Sequence, residues 1–253
     1  MSSASLRDRL HAGEVVVGTF QLLNTPIAAE LPGLAGCSFT ILDQEHGPLS
    51  AETTLAMCAA AQQAGAAPVV RVRANEPAEI QRALDIGAAG VEIPQVASLA
   101  DAEAAAHAAR FAPIGGRGLS PYVRAGAYVG GPDYTAAENE TRTVIVHIEG
   151  ADGVENIDPI AGVEGIDVLF LGPYDLSQSL GIPGEVEDPR VVEMMQRVCS
   201  IAAQESKVVG TYADTPAQAR RWIDAGVQYI AVGVDATYLR RALETMVDAV
   251  TEA

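Results

Sequence analysis

The stretch 62–94, QQAGAAPVVRVRANEPAEIQRALDIGAAGVEIP, decides the fold. It opens on the end of one helix and a glycine, then runs into an apolar, Val-rich segment, Pro68–Arg73. A helical stretch follows over Glu76–Leu84, a second glycine closes it at Gly87, and a second apolar segment runs over Val91–Pro94. Glycine just past a helix end is a C-cap signal, because it takes the left-handed conformation that stops a helix. Two nearly continuous hydrophobic runs separated by one short helix read as parallel strands buried on both faces.

The same unit recurs along the chain. Further strands are expected at Val15–Leu22, Phe39–Asp43, Thr143–Glu149, Asp167–Gly172, Val208–Tyr212 and Tyr229–Gly233. Helices are expected at Ala51–Gln63, Leu99–Ala109, Pro189–Gln204 and Pro216–Ala225. Eight strand–helix units with short returns favour a closed (β/α)8 TIM barrel, a fold of about 250 residues. The whole chain, 1–253, is therefore read as one α/β domain, with an open doubly wound sheet as the alternative. The segment Gly115–Glu140 breaks the rhythm, and loops of that length usually cover a site or an interface. The stretch Gly181–Asp188 is a shorter irregular piece. Near the C-terminus Leu239, Leu243, Val247 and Val250 share one helical face, suited to packing on the chain's own barrel or on a neighbouring subunit.

The chain carries 33 acidic and 16 basic side chains, a net charge of −17. Such a surface repels phosphate backbones and anionic lipid, so neither nucleic acid nor a membrane is an expected partner. An anionic substrate then needs a local arginine or a metal ion. The three cysteines, Cys37, Cys58 and Cys199, form no C-x-x-C pair and read as small buried hydrophobes in a reducing compartment. Residues 1–13 lack an apolar core, and no run approaches the roughly 18 apolar residues of a membrane span, so a cytoplasmic protein is expected.

Barrels of this type carry their chemistry at the C-terminal strand ends. Polar residues collect there: Asp43, Glu45 and His46 after the second strand, Arg71 and Arg73 on the third, Glu92 and Gln95 at the fourth, Glu149 at the fifth, and Asp175 past the sixth. Two acids on adjacent strand ends point to a hard-cation site completed by water and substrate oxygens. The alternatives are a salt bridge from Glu149 to a barrel arginine and a helix N-cap at Asp175. His46 suits proton transfer near neutral pH, or is a loop histidine bonded to backbone. His147 faces the same way as Glu149 and either meets substrate or a metal-bound water, or fills the barrel. His11 and His107 are placed on surface helices. Arg71 can aim its fork at a carboxylate or an enolate oxygen, while Arg73 points oppositely. The single lysine, Lys207, begins the seventh strand at the wrong face, which leaves no amine for a Schiff base.

The segments VGTF (17–20), AAELPGLAGCSFTILDQEHGP (28–48), GGRGLSPYVRAGAY (115–128), VIVHIEG (144–150) and LFLGPYDLSQSLG (169–181), with the two glycine-bounded runs quoted above, resemble the HpcH/HpaI family of metal-dependent pyruvate aldolases. The resemblance implies a divalent metal, Mg, Mn or Co, on Glu149 and Asp175. It also implies His46 as proton acceptor, Arg71 as the enolate stabiliser, and Asp85 as the group that raises the basicity of His46. Gly172, Pro173, Tyr174 and Asp175 then contact substrate, Tyr174 through its backbone, and a homo-oligomer, commonly a hexamer, is implied. Asp85 reads as lying on the far side of the barrel, so its role is easier to reach across a subunit interface. Departures from the family pattern are His147 for Gln, Gly150 for Thr, Phe20 for Trp, and Pro32, which is expected to interrupt a helix. The expected activity is reversible aldol cleavage of 4-hydroxy-2-keto acids to pyruvate and an aldehyde. Metal-dependent decarboxylation of oxaloacetate and a catalytically silent binding barrel are the alternatives.

Overall fold

The computed structural model describes residues 4–251. Its strands are β1 (Val16–Gln21), β2 (Phe39–Asp43), β3 (Ala67–Arg71), β4 (Gly90–Ile93), β5 (Thr143–Ile148), β6 (Val168–Leu171), β7 (Val208–Ala213) and β8 (Tyr229–Val234). Every strand end lies within two residues of its expected position. All neighbours are parallel, and β8 pairs back onto β1 through Val16 and Tyr229, which closes the barrel and rules out the open sheet. Helices begin on signals the sequence displays. Ser50, Ser98 and Thr215 accept hydrogen bonds from first-turn amides, and Pro77, Pro173 and Pro216 take first-turn positions where no amide is required.

Apolar side chains form two layers. One lies between the strands and the surrounding helices, where Val70, Val91, Val146 and Leu169 are fully buried. The other fills the barrel, where Phe39 stacks on Tyr229 with centroids 4.0 Å apart and Phe170 meets Tyr229 edge-on. Rings of this size need glycine opposite them. A Cβ on Gly18 would fall 2.5 Å from the Phe39 ring, and one on Gly210 would fall 2.9 Å from both Phe170 and Tyr229. The closed end of the barrel is covered by the helix Leu6–His11, which buries Leu6 and Leu10.

Pro32 does not interrupt its helix. The helix runs from Pro26 to Leu34 with Pro32 inside it. Proline there removes the amide that would bond the Ala28 carbonyl four residues earlier. With the Gln21 amide turned to donate, its nitrogen lies 3.1 Å from that carbonyl and replaces the missing donor. Nor is Gly115–Glu140 structureless: it holds a 3-10 turn at Arg124–Gly126 and most of the helix Tyr134–Thr141. Because it joins a helix C-terminus to the start of β5, it lies at the opposite end from the strand C-termini and cannot cover its own barrel's mouth. It presents Leu119, Tyr122, Tyr128 and Val129 to solvent. Among the described residues no helix is long and apolar enough to cross a membrane.

The lower rim is held by charge. Arg110, 1 % exposed, donates to Asp167 and to the carbonyls of Asn139, Arg142 and Gly165. Arg7 donates to the other Asp167 oxygen at 2.7 Å. Burial opposes the charge on Asp167, but His11, Arg110, Arg7 and the Val144 amide outweigh it and hold the carboxyl below its ordinary range. Asp167→Ala is expected to cost about 3–5 kcal/mol, because it strands a buried arginine. A group with a lowered folded pKa contributes stability above its unfolded pKa, about 3.9, and loses it as pH falls through the folded value. Urea titrations should therefore show a shallower acid loss of stability in the variant than in the wild type.

Candidate active site

The strand C-termini bring the expected residues together. His46, Arg71, His147, Gly172, Pro173, Tyr174 and Asp175 all line one cavity of 380 Å³ at the mouth of the barrel. Glu149 stands beside it. A Cβ added to Gly172 would touch Glu149 Cγ at 3.4 Å and Asp175 Oδ2 at 3.3 Å, so the two acids flank a glycine that leaves the space between them open.

Asp175 is the third residue of the helix Pro173–Ser179, whose N-cap is Gly172, so the N-cap alternative does not hold. Asp175 is exposed in the mouth and takes part in none of the observed hydrogen bonds or ion pairs. Partial desolvation and the adjacent Glu149 charge push its carboxyl up. Glu149 has no arginine partner in contact. Its Oε1 accepts from the Gln95 amide at 3.2 Å and lies 3.0 Å from His147 Nδ1. Gln95 reaches it from a left-handed conformation, φ 58°, which is costly for a residue with a Cβ and persists only where surroundings impose it. Burial works against charge on Glu149, but the His147 and Gln95 hydrogen bonds and the Arg71 charge bring its carboxyl below the ordinary value.

His147 is buried, stacked on Phe170 with centroids 4.4 Å apart. Its Nε2 lies 3.1 Å from Glu92 Oε2, whose other oxygen accepts from Tyr229 Oη at 2.8 Å. Burial disfavours the charged ring, yet hydrogen bonds to Glu149 and Glu92 outweigh it and lift the imidazole to about 9. With both ring nitrogens donating to protein carboxylates, His147 positions Glu149 and has no free polar atom for a bound molecule.

The Arg71 fork is also engaged. Nε and Nη2 meet Asp43 at 2.9 and 2.6 Å, and Nη1 lies 3.2 Å from Glu45 Oε2. The Phe20 ring supports the guanidinium at 4.8 Å. Asp43 further accepts from the amides of Glu45 and His46, so it fixes the turn that carries His46 into the mouth. The His46 ring is mostly exposed, its Nε2 3.9 Å from Glu45 Oε2. Glu45 Oε2 is buried without a well-aligned donor, and burial together with the Glu149 charge pushes that carboxyl up. Arg73 points outward to Glu79.

Asp85 does not join this group within one chain. It ends the helix Pro77–Asp85, which runs back from the mouth, and its carboxylate accepts from the fully buried Arg117 at 2.6 Å. Lys207 sits at the same far end, donating to the carbonyls of Val163 and Ile166. The sequence reading gave no role to Asp43, Glu92, Gln95, Tyr229 or Asp214. Asp43, Glu92 and Gln95 were visible as polar strand ends, but their partners lie on other strands.

A model of the HpcH/HpaI aldolase/citrate lyase family matches residues 17–242. The chain is 38% identical to a 5-keto-4-deoxy-D-glucarate aldolase of Shigella boydii over 94% of its own length and 93% of that protein. Among solved structures it is similar to an HpcH/HpaI aldolase/citrate lyase family protein from Burkholderia cenocepacia, with 36% identity, TM-score 0.93, and coverage of 98% and 99% of the two chains. It is also similar to the citrate synthase SbnG, with 32% identity, TM-score 0.90, and coverage of 98% of each.

The clamp on His147 is testable in metal-free protein. A ring held charged to a higher pH than in the unfolded chain contributes stability fully below about 6.5 and loses it as pH rises through about 9. Chemical unfolding of the wild type should weaken over that window, and His147→Gln should remove the slope. His147→Ala should cost about 3–5 kcal/mol, since Glu92 is left buried with one neutral partner.

Proposed function

Because the chain belongs to the HpcH/HpaI aldolase/citrate lyase family, we propose that it catalyses divalent-metal-dependent, reversible aldol cleavage of 4-hydroxy-2-keto acids to pyruvate, or a pyruvate-like keto acid, and an aldehyde. The observation that carries this reading is the pair Glu149 and Asp175, flanking open space with Asp175 in none of the observed ion pairs, in a mouth that Lys207, bonded at the far end, does not reach. Two hard carboxylate oxygen donors suit Mg, Mn or Co. Among the described residues no group of three or more His, Cys, Asp or Glu forms a complete metal cage. Water and substrate oxygens would supply the remaining positions. Such an ion, when bound, polarises the keto acid and lowers the energy of its enolate.

The chain's own residues do the rest. Arg71, oriented by Asp43 and Phe20, places fixed positive charge where enolate charge develops. His46 takes the proton of the 4-hydroxyl during cleavage and returns it during condensation. The amides around Gly172–Asp175 and the Tyr174 backbone hold the keto acid. His147 holds Glu149 in place from behind.

The protein is further proposed to be a homo-oligomer. The helix Asp235–Thr251 has no buried residue, and Leu239, Leu243, Val247 and Val250 lie exposed along it. Exposed Ile27, Leu31 and Leu34 form a second apolar face on the helix Pro26–Leu34. Contiguous apolar surface of this kind is normally covered. A second copy would also bring an Asp85 from elsewhere towards a mouth that its own cannot reach.

Borohydride with pyruvate should trap no adduct, while a chelator should abolish turnover and Mn or Co should restore it. Calorimetry should show that Glu149→Gln and Asp175→Asn each lose metal binding. Arg71→Ala should keep the metal but lose turnover by roughly 10²–10³-fold, the scale seen on deleting an oxyanion-stabilising donor. Full activity after exhaustive metal removal would overturn the mechanism. Light scattering should give a multiple of the chain mass, and Leu243→Asp should lower it; a wild-type monomer at micromolar concentration would contradict the assembly.

A further inference from the structure

Of the two acids, Asp175 has the less support. Glu149 is fixed by the Gln95 amide and by His147, whereas no hydrogen bond acts on the Asp175 carboxyl. Both acids face the space around Gly172, and two carboxylates that close repel each other unless a cation joins them. The backbone leading to Asp175 is lightly held as well. The Gly172 amide lies 3.5 Å from the Ile148 carbonyl, at the limit of a hydrogen bond.

The residue before Asp175 is held at both ends. The Tyr174 carbonyl accepts from Ser177 Oγ at 2.6 Å, and Ser177 Oγ accepts in turn from the Gly184 amide at 3.0 Å. The Tyr174 hydroxyl crosses to the end of β7 and donates to Asp214 Oδ2 at 2.8 Å. Asp214 is itself fixed. Its Oδ1 accepts from Tyr212 Oη at 3.1 Å, and its amide donates to Gln218 Oε1 at 2.9 Å. Gln218 Nε2 and Arg221 Nη2 both reach Glu187 Oε1, at 3.1 and 3.0 Å, so the anchor is the helix Pro216–Asp224. The Tyr212 ring packs edge-on against Phe20, with centroids 6.0 Å apart.

We infer that Tyr174 and Asp214 are positioning residues, a latch from the end of β6 to the end of β7 that holds Asp175 at the ion site before a metal binds. This rests on the metal-dependent reading of the mouth and deepens it. The peptide joining Tyr174 to Asp175 is planar. A ring tethered at its hydroxyl therefore limits how far the next carboxylate can swing away from Glu149. A ligand already in place costs less to order when an ion binds. Losing a hydrogen bond behind a metal ligand weakens affinity by about 10- to 100-fold.

Calorimetric titration of the whole protein with manganese chloride, without substrate, tests the latch. Tyr174→Phe removes one hydroxyl and no charge, and should weaken Mn binding by about tenfold. Asp214→Asn should weaken it at least as much. The double variant should bind no more weakly than Asp214→Asn, because both substitutions break the same bond. If Asp214 acted on the ion only through its charge, Asp214→Asn would weaken binding and Tyr174→Phe would not. That result overturns the latch, as does additivity of the two substitutions. Urea midpoints establish that each variant is folded, and if Asp214→Asn is not, Tyr174→Phe decides alone. A wild type that binds no Mn overturns the metal reading and the latch with it. Wild-type binding with an unmoved Tyr174→Phe overturns the latch only.

Discussion

The wedge of His147 between Glu92 and Glu149 holds together the two environments of the barrel. Glu92 lies wholly inside, where a carboxylate is tolerable only with partners. Tyr229 and His147 supply them, and the charge that His147 retains then reaches Glu149 at the mouth. Glu149 can stand low and ionised next to Asp175 because that positive charge is behind it. Without the wedge, Glu45, Glu149 and Asp175, which share this end of the barrel with Asp43 and Asp214, would be opposed chiefly by Arg71.

Arg71 solves the same problem on the other side. Its guanidinium is oriented by Asp43, faces Glu45, and rests on Phe20, so its direction is set before anything binds. Preorganised charge of this kind costs no rearrangement when an enolate forms. The residual electrostatic cost falls on Asp175 and Glu45, whose carboxyls are pushed up. A bound cation would relieve both, which is why an acidic mouth and a divalent metal fit each other here.

Stability and chemistry are kept at opposite rims. Arg110, Asp167, Arg7, Arg117 and Asp85 join loops to the closed end of the barrel, while the strand C-termini carry the uncompensated charge. Asp214 and its two tyrosines belong to the mouth, although none of their side chains is assigned to the metal or the enolate.

The sequence alone determined the barrel, the ends of its strands, and which rim each polar residue would occupy. Those follow from local periodicity, from glycine and proline punctuation, and from a strand polarity that sends every strand C-terminus to one face. It also determined that Lys207 does not serve the mouth, since it stands just before the first residue of β7. Only the tertiary structure decided the partners. His147 reads from sequence as either a ligand or a filler, because Glu92 lies 55 positions away on β4. Asp175 reads as a metal ligand or as a helix N-cap until Gly172 is seen in the N-cap place. Pro32 reads as a helix breaker because the Gln21 amide that replaces its missing donor comes from outside the helix, at the end of β1. The Asp214 cluster is invisible because Tyr174 and Tyr212 reach it from two different strand ends. Hydrogen bonds and charge pairs between strands depend on the register of barrel closure, and that register is a property of the whole ring.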